Sequence, residues 1–129
     1  MDSDEQKVTT RRKGQAVETA ALGYLEEKGL LYVCRNFHCR YGEIDLIMTQ
    51  GNTLVFIEVR YRKQNSHGSA AESVISRKQQ KLAVTAQYYL QSYKSLPRCR
   101  FDVVAVSQSI NNRALLHFDW IKNAFDLQC

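Results

Sequence analysis

Hydrophobic and polar positions in this chain change period several times, and each change marks an element. Over residues 14–28 the apolar side chains Val17, Ala20, Ala21, Tyr24 and Leu25 recur at the spacing of one helix face. Gly29 follows where a left-handed residue closes a helix. Residues 30–37 read as a strand. Two runs then alternate with a period of two. In the first, Glu43, Asp45 and Ile47 take one face, and Ile44, Leu46 and Met48 the other. In the second, Phe56, Glu58 and Arg60 oppose Val55, Ile57 and Val59. Gln50-Gly51-Asn52-Thr53 joins the two runs, with Gly51 at the first central position of a type II′ turn. A second helix is expected over 77–93, capped by Ser76, with Leu82, Ala86, Tyr89, Leu90 and Tyr93 facing a sheet, and with Tyr88, Tyr89 and Tyr93 read as core and rim in preference to a base-stacking platform. Beyond Pro97, residues 99–107 form a strand too apolar along Phe101 to Val106 for an edge position. A turn at 109–112, a last strand over 113–118 and a short closing helix over 120–125 complete the order. Helix, three strands, helix, two strands and short helix predict an α/β fold, one mixed central sheet of about five strands flanked by helices.

The hairpin breaks its own pattern, placing acids where apolar residues would cost less. With Gly51 and Asn52 as the loop, Gln50 faces Thr53, which sets Asp45 opposite Glu58 and Glu43 opposite Arg60. Side chains so opposed have Cβ atoms roughly 4.5–5.5 Å apart. Two carboxylates that close repel, and a bound cation, a shared proton or solvent exposure must offset the repulsion. Arg60, Arg62, Lys63, Arg77, Lys78 and Lys81 follow closely in the chain. Acids ringed by cations suit a metal site that receives a phosphate backbone, and they equally describe a solvated loop and helix face. Glu18 lies about 100° round the first helix from Val17. From that shoulder it is either a boundary residue or an acid reaching over the sheet to the hairpin. Lys78, four residues before Leu82, extends the second helix's stripe toward its start. It needs an acidic partner or an anion there, unless its stem snorkels to water. His67, in the polar loop after Lys63, could orient a phosphate or a water, although a lone loop histidine usually does neither.

Composition narrows the class without choosing the chemistry. The 129 residues suffice for one domain, expected over 13–129, behind a polar, frayed tail over 1–12. With 44% hydrophobic and 24% charged residues the balance is that of an ordinary globular protein. The net charge of +5 favours a polyanion only weakly. The start MDSDEQKVTTRRK lacks the apolar centre of a signal peptide, and no apolar run approaches transmembrane length, so a cytoplasmic protein without a membrane partner is expected. The four cysteines have no CxxC spacing. Cys34, His38 and Cys39 lack a fourth zinc ligand at a familiar spacing. Cys34 and Cys99 read instead as reduced thiols filling strand positions.

Glu18 on the first helix, GEIDLI at 42–47, FIEVRYR at 56–62, Lys78 on the second helix and RFDVVAV at 100–106 occur in an order that resembles the YraN-like family of bacterial proteins. That family is similar in turn to archaeal Holliday-junction resolvases and to the restriction-endonuclease-like PD-(D/E)XK superfamily. The resemblance covers roughly residues 12–120. It implies a restriction-endonuclease-like core with Mg²⁺ or Mn²⁺ at its acidic end. It matches Asp45 to the superfamily's metal-binding aspartate, Glu58 to the glutamate of E-x-K, and Glu18 to the helix-borne acid of the resolvase-like branch. The carbonyl of Val59 becomes a further metal ligand, and Glu43 a supporting acid. Arg60 stands where the superfamily has lysine. Arginine stays charged and cannot act as a base. It can hold a phosphate oxygen and stabilise developing charge, with Lys78 or Lys63 supplying the missing ammonium. Implied catalytic residues are therefore Asp45, Glu58, Arg60 and Lys78, with Arg62, Lys63, Arg77 and Lys81 as substrate contacts.

The expected activity is that of a metal-dependent nuclease, an endonuclease or resolvase-like hydrolase, cleaving phosphodiester bonds of DNA that is branched or otherwise structured. The alternative is a nucleic-acid-binding module of the same fold whose catalysis is lost or needs a partner, a reading that Arg60 favours. A third reading is a protein-interaction scaffold with solvated acids. Resolvase-like relatives suggest a homodimer, although no self-complementary patch in the sequence demands one.

Overall fold

The computed structural model describes residues 3–62, 76–109, 111 and 115–125, with side chains described from residue 14 onward, Ser76 excepted. Helix α1 spans Ser3–Glu27, strands β1 Leu31–Cys39, β2 Gly42–Gln50 and β3 Thr53–Tyr61 follow, then helix α2 Ser76–Leu90 and strands β4 Arg98–Gln108 and β5 Leu116–Ile121. The five strands form one sheet in the order β1-β2-β3-β4-β5. β3 and β4 are parallel and every other neighbouring pair is antiparallel. Parallel neighbours need a crossover, and α2 lies in it. The result is an α/β fold, a five-stranded mixed sheet flanked by two helices and consistent with a restriction-endonuclease-like core.

Each helix covers one face of the sheet. Val17, Ala21 and Leu25 of α1 pack with Leu30 on Leu46, Met48, Val55, Ile57, Val104 and Val106. Leu82, Ala86 and Leu90 of α2 pack on Ile44, Ile47, Leu54, Phe56, Phe101, Val103 and Ala105. β4 contributes to both clusters, as its unbroken apolar run requires. α1 starts earlier than residue 14. Residues 3–12 of the expected tail are helical in backbone, and the side chains of residues 3–13 lie outside the described ones. Its C-terminus is a Schellman motif: Gly29, at φ 99°, donates its N–H to the Glu26 carbonyl at 3.0 Å, and Leu30 donates to Leu25 at 3.1 Å. α2 ends at Leu90, so Tyr93 lies beyond it and beside Tyr89, 5.7 Å between ring centroids. The Ser76 cap, Lys63 and His67 fall outside the described side chains. No helix of the described residues is long and apolar enough to cross a membrane.

Three expectations need correction. The first concerns β2, where Ile44 packs under α2 with Ile47 instead of sharing the α1 face of Leu46 and Met48. The alternation slips by one residue at Asp45. Opposite it, β1 slips at Asn36, whose φ is 55°, so that both Cys34 and Phe37 turn toward α2. Asparagine is among the few non-glycine residues that adopt this conformation readily. The second concerns the C-terminal region, where no closing helix forms. Trp120 and Ile121 belong to β5, paired with Val104 and Val103.

Asp102, 1% exposed, explains that strand. It accepts the Trp120 indole N–H at 2.9 Å and the Asn123 backbone N–H at 2.9 Å, besides a salt bridge from Arg100 Nε at 3.0 Å. A buried carboxylate is tolerated when its oxygens are so occupied, and here that requirement fixes the turn after β5. Third, Cys99 is disulfide-bonded, whereas Cys34 and Cys39 are free thiols. Strand-filling thiols thus account for Cys34 alone. Asp102→Ala would leave the indole N–H without its acceptor and the Arg100 guanidinium with Gln50 Oε1 but no carboxylate. It is expected to lower the unfolding free energy in urea by about 3–5 kcal/mol. Glu26→Ala, at an exposed helix position, should stay within about 0.5 kcal/mol of the parent.

Candidate functional site

Gly51 at φ 58° makes the expected two-residue turn, and the hairpin register follows from it: Gln50 pairs with Thr53, Met48 with Val55 and Leu46 with Ile57. The pairing stops there. Asp45 and Glu58 come next in register, but β2 leaves β3 at this point and stays with β1, Ile44 opposite Phe37 and Gly42 opposite Cys39. β3 continues along β4 as far as Tyr61 opposite Val106. The sheet therefore forks. In the fork the Asp45 side chain replaces the missing strand, its Oδ2 accepting the Val59 N–H at 2.8 Å.

Acids gather around this fork. Glu58, 6% exposed, is ion-paired to Lys78 in the first turn of α2. Burial raises the Asp45 pKa from an ordinary 3.8 to about 8, helped by the Glu58 carboxylate and, more weakly, by Glu18 and Glu43, while the Val59 N–H opposes the shift. Glu18 is half-buried on α1. Burial raises its pKa, Arg35 opposes the rise, and Glu43 and Glu58 add to it. With its amide turned to put nitrogen inward, Asn36 donates to both Glu18 oxygens, at 2.9 and 3.0 Å. The four acids picked out in the sequence thus belong to one electrostatic group, contributed by α1, β2 and β3.

The predicted cations divide. Lys78 is in the group through Glu58. Arg60 is half-buried, and its Nε is enclosed without a hydrogen-bond partner among the described residues. No Glu43–Arg60 pair forms in the ladder, because β2 has already diverged. Arg77, Lys78 and Lys81 line a pocket of about 300 Å³ with Gly42, Glu43 and Leu82. Arg62 continues β3, its N–H donated to the Val106 carbonyl at 2.8 Å. Lys63 lies outside the described residues. Gly42 is required where it stands: its φ is 155°, and a Cβ there would meet Thr85 Oγ1 at 3.0 Å. That close approach seats the start of β2 against α2. Arg35 and Asn36, which hold Glu18, were not singled out in the sequence, although an asparagine inside an apolar strand pattern is a recognisable sign of irregular backbone.

Residues 17–106 match the model of "Uncharacterised protein family UPF0102". The chain belongs to this family. Among its relatives, a UPF0102 protein of Psychromonas ingrahamii is 47% identical over 113 residues, 88% of each chain. One from Herminiimonas arsenicoxydans is 49% identical over 113 residues, 88% of this chain and 86% of that one. A UPF0102 protein of Pseudomonas syringae pv. syringae is 44% identical over 124 residues, 94% of this chain and 98% of its own. The matched segment of this UPF0102 protein runs from Val17, just before Glu18, to the end of the apolar run of β4. It contains every acid of the fork.

The raised Asp45 pKa has a definite sign in stability. The folded protein holds this proton more tightly than the unfolded chain, so the stability Asp45 confers is full below about pH 4 and is lost as pH rises through about 8. Asp45→Asn mimics the protonated form and keeps an oxygen for the Val59 N–H. Thermal unfolding in a chelator should show this variant exceeding the parent above pH 8 by at least about 1 kcal/mol, roughly 3–6 °C. The advantage should shrink toward zero near pH 4.

Proposed function

We propose that this UPF0102 protein is a divalent-metal-dependent nuclease that hydrolyses phosphodiester bonds of DNA. The observation that carries the reading is the fork, where burial and the Glu58 carboxylate raise the proton affinity of Asp45 and Glu18 beside Lys78 and Arg60. Among the described residues no three acids, histidines or cysteines already stand arranged as a metal cage. The donor chemistry nevertheless fits a hard cation, since crowded carboxylates gain most from exchanging their mutual repulsion for Mg²⁺ or Mn²⁺. Asp45, Glu58, Glu18 and the Val59 carbonyl would hold it. When bound, such a cation supplies Lewis acidity toward the phosphate and the attacking water.

The chain's own groups do the rest. Arg60, with a buried N–H that has no acceptor among the described residues, offers a fixed donor to a phosphate oxygen. Lys78 has its stem in the pocket and its ammonium at Glu58, so it can pass between carboxylate and phosphate and offset charge in the transition state. Arg77 and Lys81 extend that positive surface along α2 and position the flanking backbone. Lys78 thus brings to Glu58 the ammonium that the motif's lysine would carry at position 60.

Linear, flapped and four-way DNA incubated with Mg²⁺ or Mn²⁺ tests the reading. Cleavage is expected, and Asp45→Ala with Glu58→Ala should abolish it. Lys78→Ala should slow it about 10²–10³-fold. Cleavage that survives the double substitution would falsify the assignment. Calorimetry separates the second reading, which the arginine at position 60 favours. No divalent-metal binding, together with salt-sensitive DNA binding, identifies a binding module without catalysis.

A further inference from the structure

One exposed surface beside the fork has no part in the roles given so far. The turn between β1 and β2 presents Tyr41, 39% exposed, and α2 presents Tyr88, 43% exposed. Their ring centroids are 5.9 Å apart at 60°. The Arg40 guanidinium lies 4.8 Å over the Tyr41 ring and donates to its hydroxyl. Behind them Phe37 braces Tyr88, 6.4 Å between centroids. Core packing does not explain two tyrosines and an arginine plane facing water together.

Their position relative to the cationic pocket is fixed. Gly42, directly after Tyr41, is a wall of the pocket and is pressed against Thr85 of α2. Thr85 lies between Lys81 and Tyr88 on the same helix face. Lys81 and Tyr88 are two helical turns apart, about 10 Å along the axis. A strip of α2 and the adjoining turn therefore carries cations at the fork end and aromatic faces at the other. Glu43 is the acid at the pocket's fork end.

Cations that follow a backbone, followed by aromatic faces open to solvent, are the two elements of single-strand recognition. A tyrosine ring can stack on a base only when that base's face is unpaired and unstacked. We propose that this strip binds single-stranded DNA as it leaves the fork, with phosphates at Arg77 and Lys81 and bases stacked against Tyr41 and Tyr88. This rests on the nuclease reading for the identity of the polymer, and it specifies the substrate class as DNA with a single-stranded arm. Arg40 adds a planar cation to the same stack.

Fluorescence anisotropy in a chelator tests the strip without cleavage. The probes are a labelled thymidine oligonucleotide, an abasic oligonucleotide of equal length, and a blunt duplex. The parent protein should bind the thymidine strand at least about tenfold more tightly than the abasic one. Tyr41→Ala with Tyr88→Ala should bring the two affinities together while leaving the duplex unchanged. Tyr41→Phe with Tyr88→Phe should retain the preference. Arg77→Ala with Lys81→Ala should weaken both strands alike and reduce the salt dependence. Equal affinity of the parent for the two strands, or a preference that persists without the tyrosine rings, overturns the proposal. Cleavage of duplex DNA by a protein without the preference removes this inference and keeps the nuclease. A preference in a protein that cleaves nothing does the reverse.

Discussion

A single substitution of one acceptor for another organises this end of the molecule. Where β2 parts from β3, the Val59 N–H would be left without a strand partner, and the Asp45 carboxylate takes it at 2.8 Å. A buried backbone N–H must be paired, so the fork cannot open unless something fills that place. A carboxylate can fill it while keeping a second oxygen for other uses, and a carbonyl of β2 could not. The same choice places a second acid beside Glu58, with Glu18 and Glu43 within electrostatic reach. Structural pairing and charge crowding are thus the same event seen from two sides.

The crowding is only partly relieved by the chain itself. Lys78 neutralises Glu58 from α2, and Arg35 with Asn36 attends Glu18 from β1. Among the described residues Asp45 has only a backbone N–H, and it is Asp45 whose proton affinity rises furthest, to about 8. Each relieving group comes from a different element, so the geometry of the fork depends on how α1, α2 and β1 dock on the sheet. Gly42 against Thr85 and the slipped alternation at Asn36 are therefore part of the site, although neither carries a charge.

Much of this was legible in the sequence, for reasons that differ by residue. The hairpin register followed from Gly51, because turn chemistry fixes which residues face each other. α1 and α2 were visible because their stripes have a clear period, and Gly29 announced a real helix end. The site acids stood out because they interrupt an apolar alternation. Pattern reasoning failed where it carried a period of two through Asp45: Ile44 turns to the α2 side because the alternation reverses at Asn36, φ 55°, and at Asp45 opposite it, with the β1–β2 register unbroken there. It failed again at Trp120, where a short apolar run was compatible with either helix or strand. The deciding interaction there is the distant buried carboxylate of Asp102, which no local window contains.

Position 60 shows how a departure from a motif can be resolved by placement. A lysine at this strand position would reach the fork from the sheet. Arginine there is half-buried, and its Nε has no acceptor among the described residues. An unsatisfied buried donor costs stability unless a ligand supplies the acceptor. Lys78 reaches the same carboxylate from above, on a stem that is 42% exposed and can move. Under the nuclease reading the two cations therefore divide a task that one lysine performs in the motif: a fixed donor on the strand that orients a phosphate, and a mobile ammonium on the helix that can leave Glu58. Arg60 alone would argue for a site that binds without reacting. Arg60 with Lys78 ion-paired to Glu58 supplies both functions, which is why the catalytic reading stands ahead of the binding-only one.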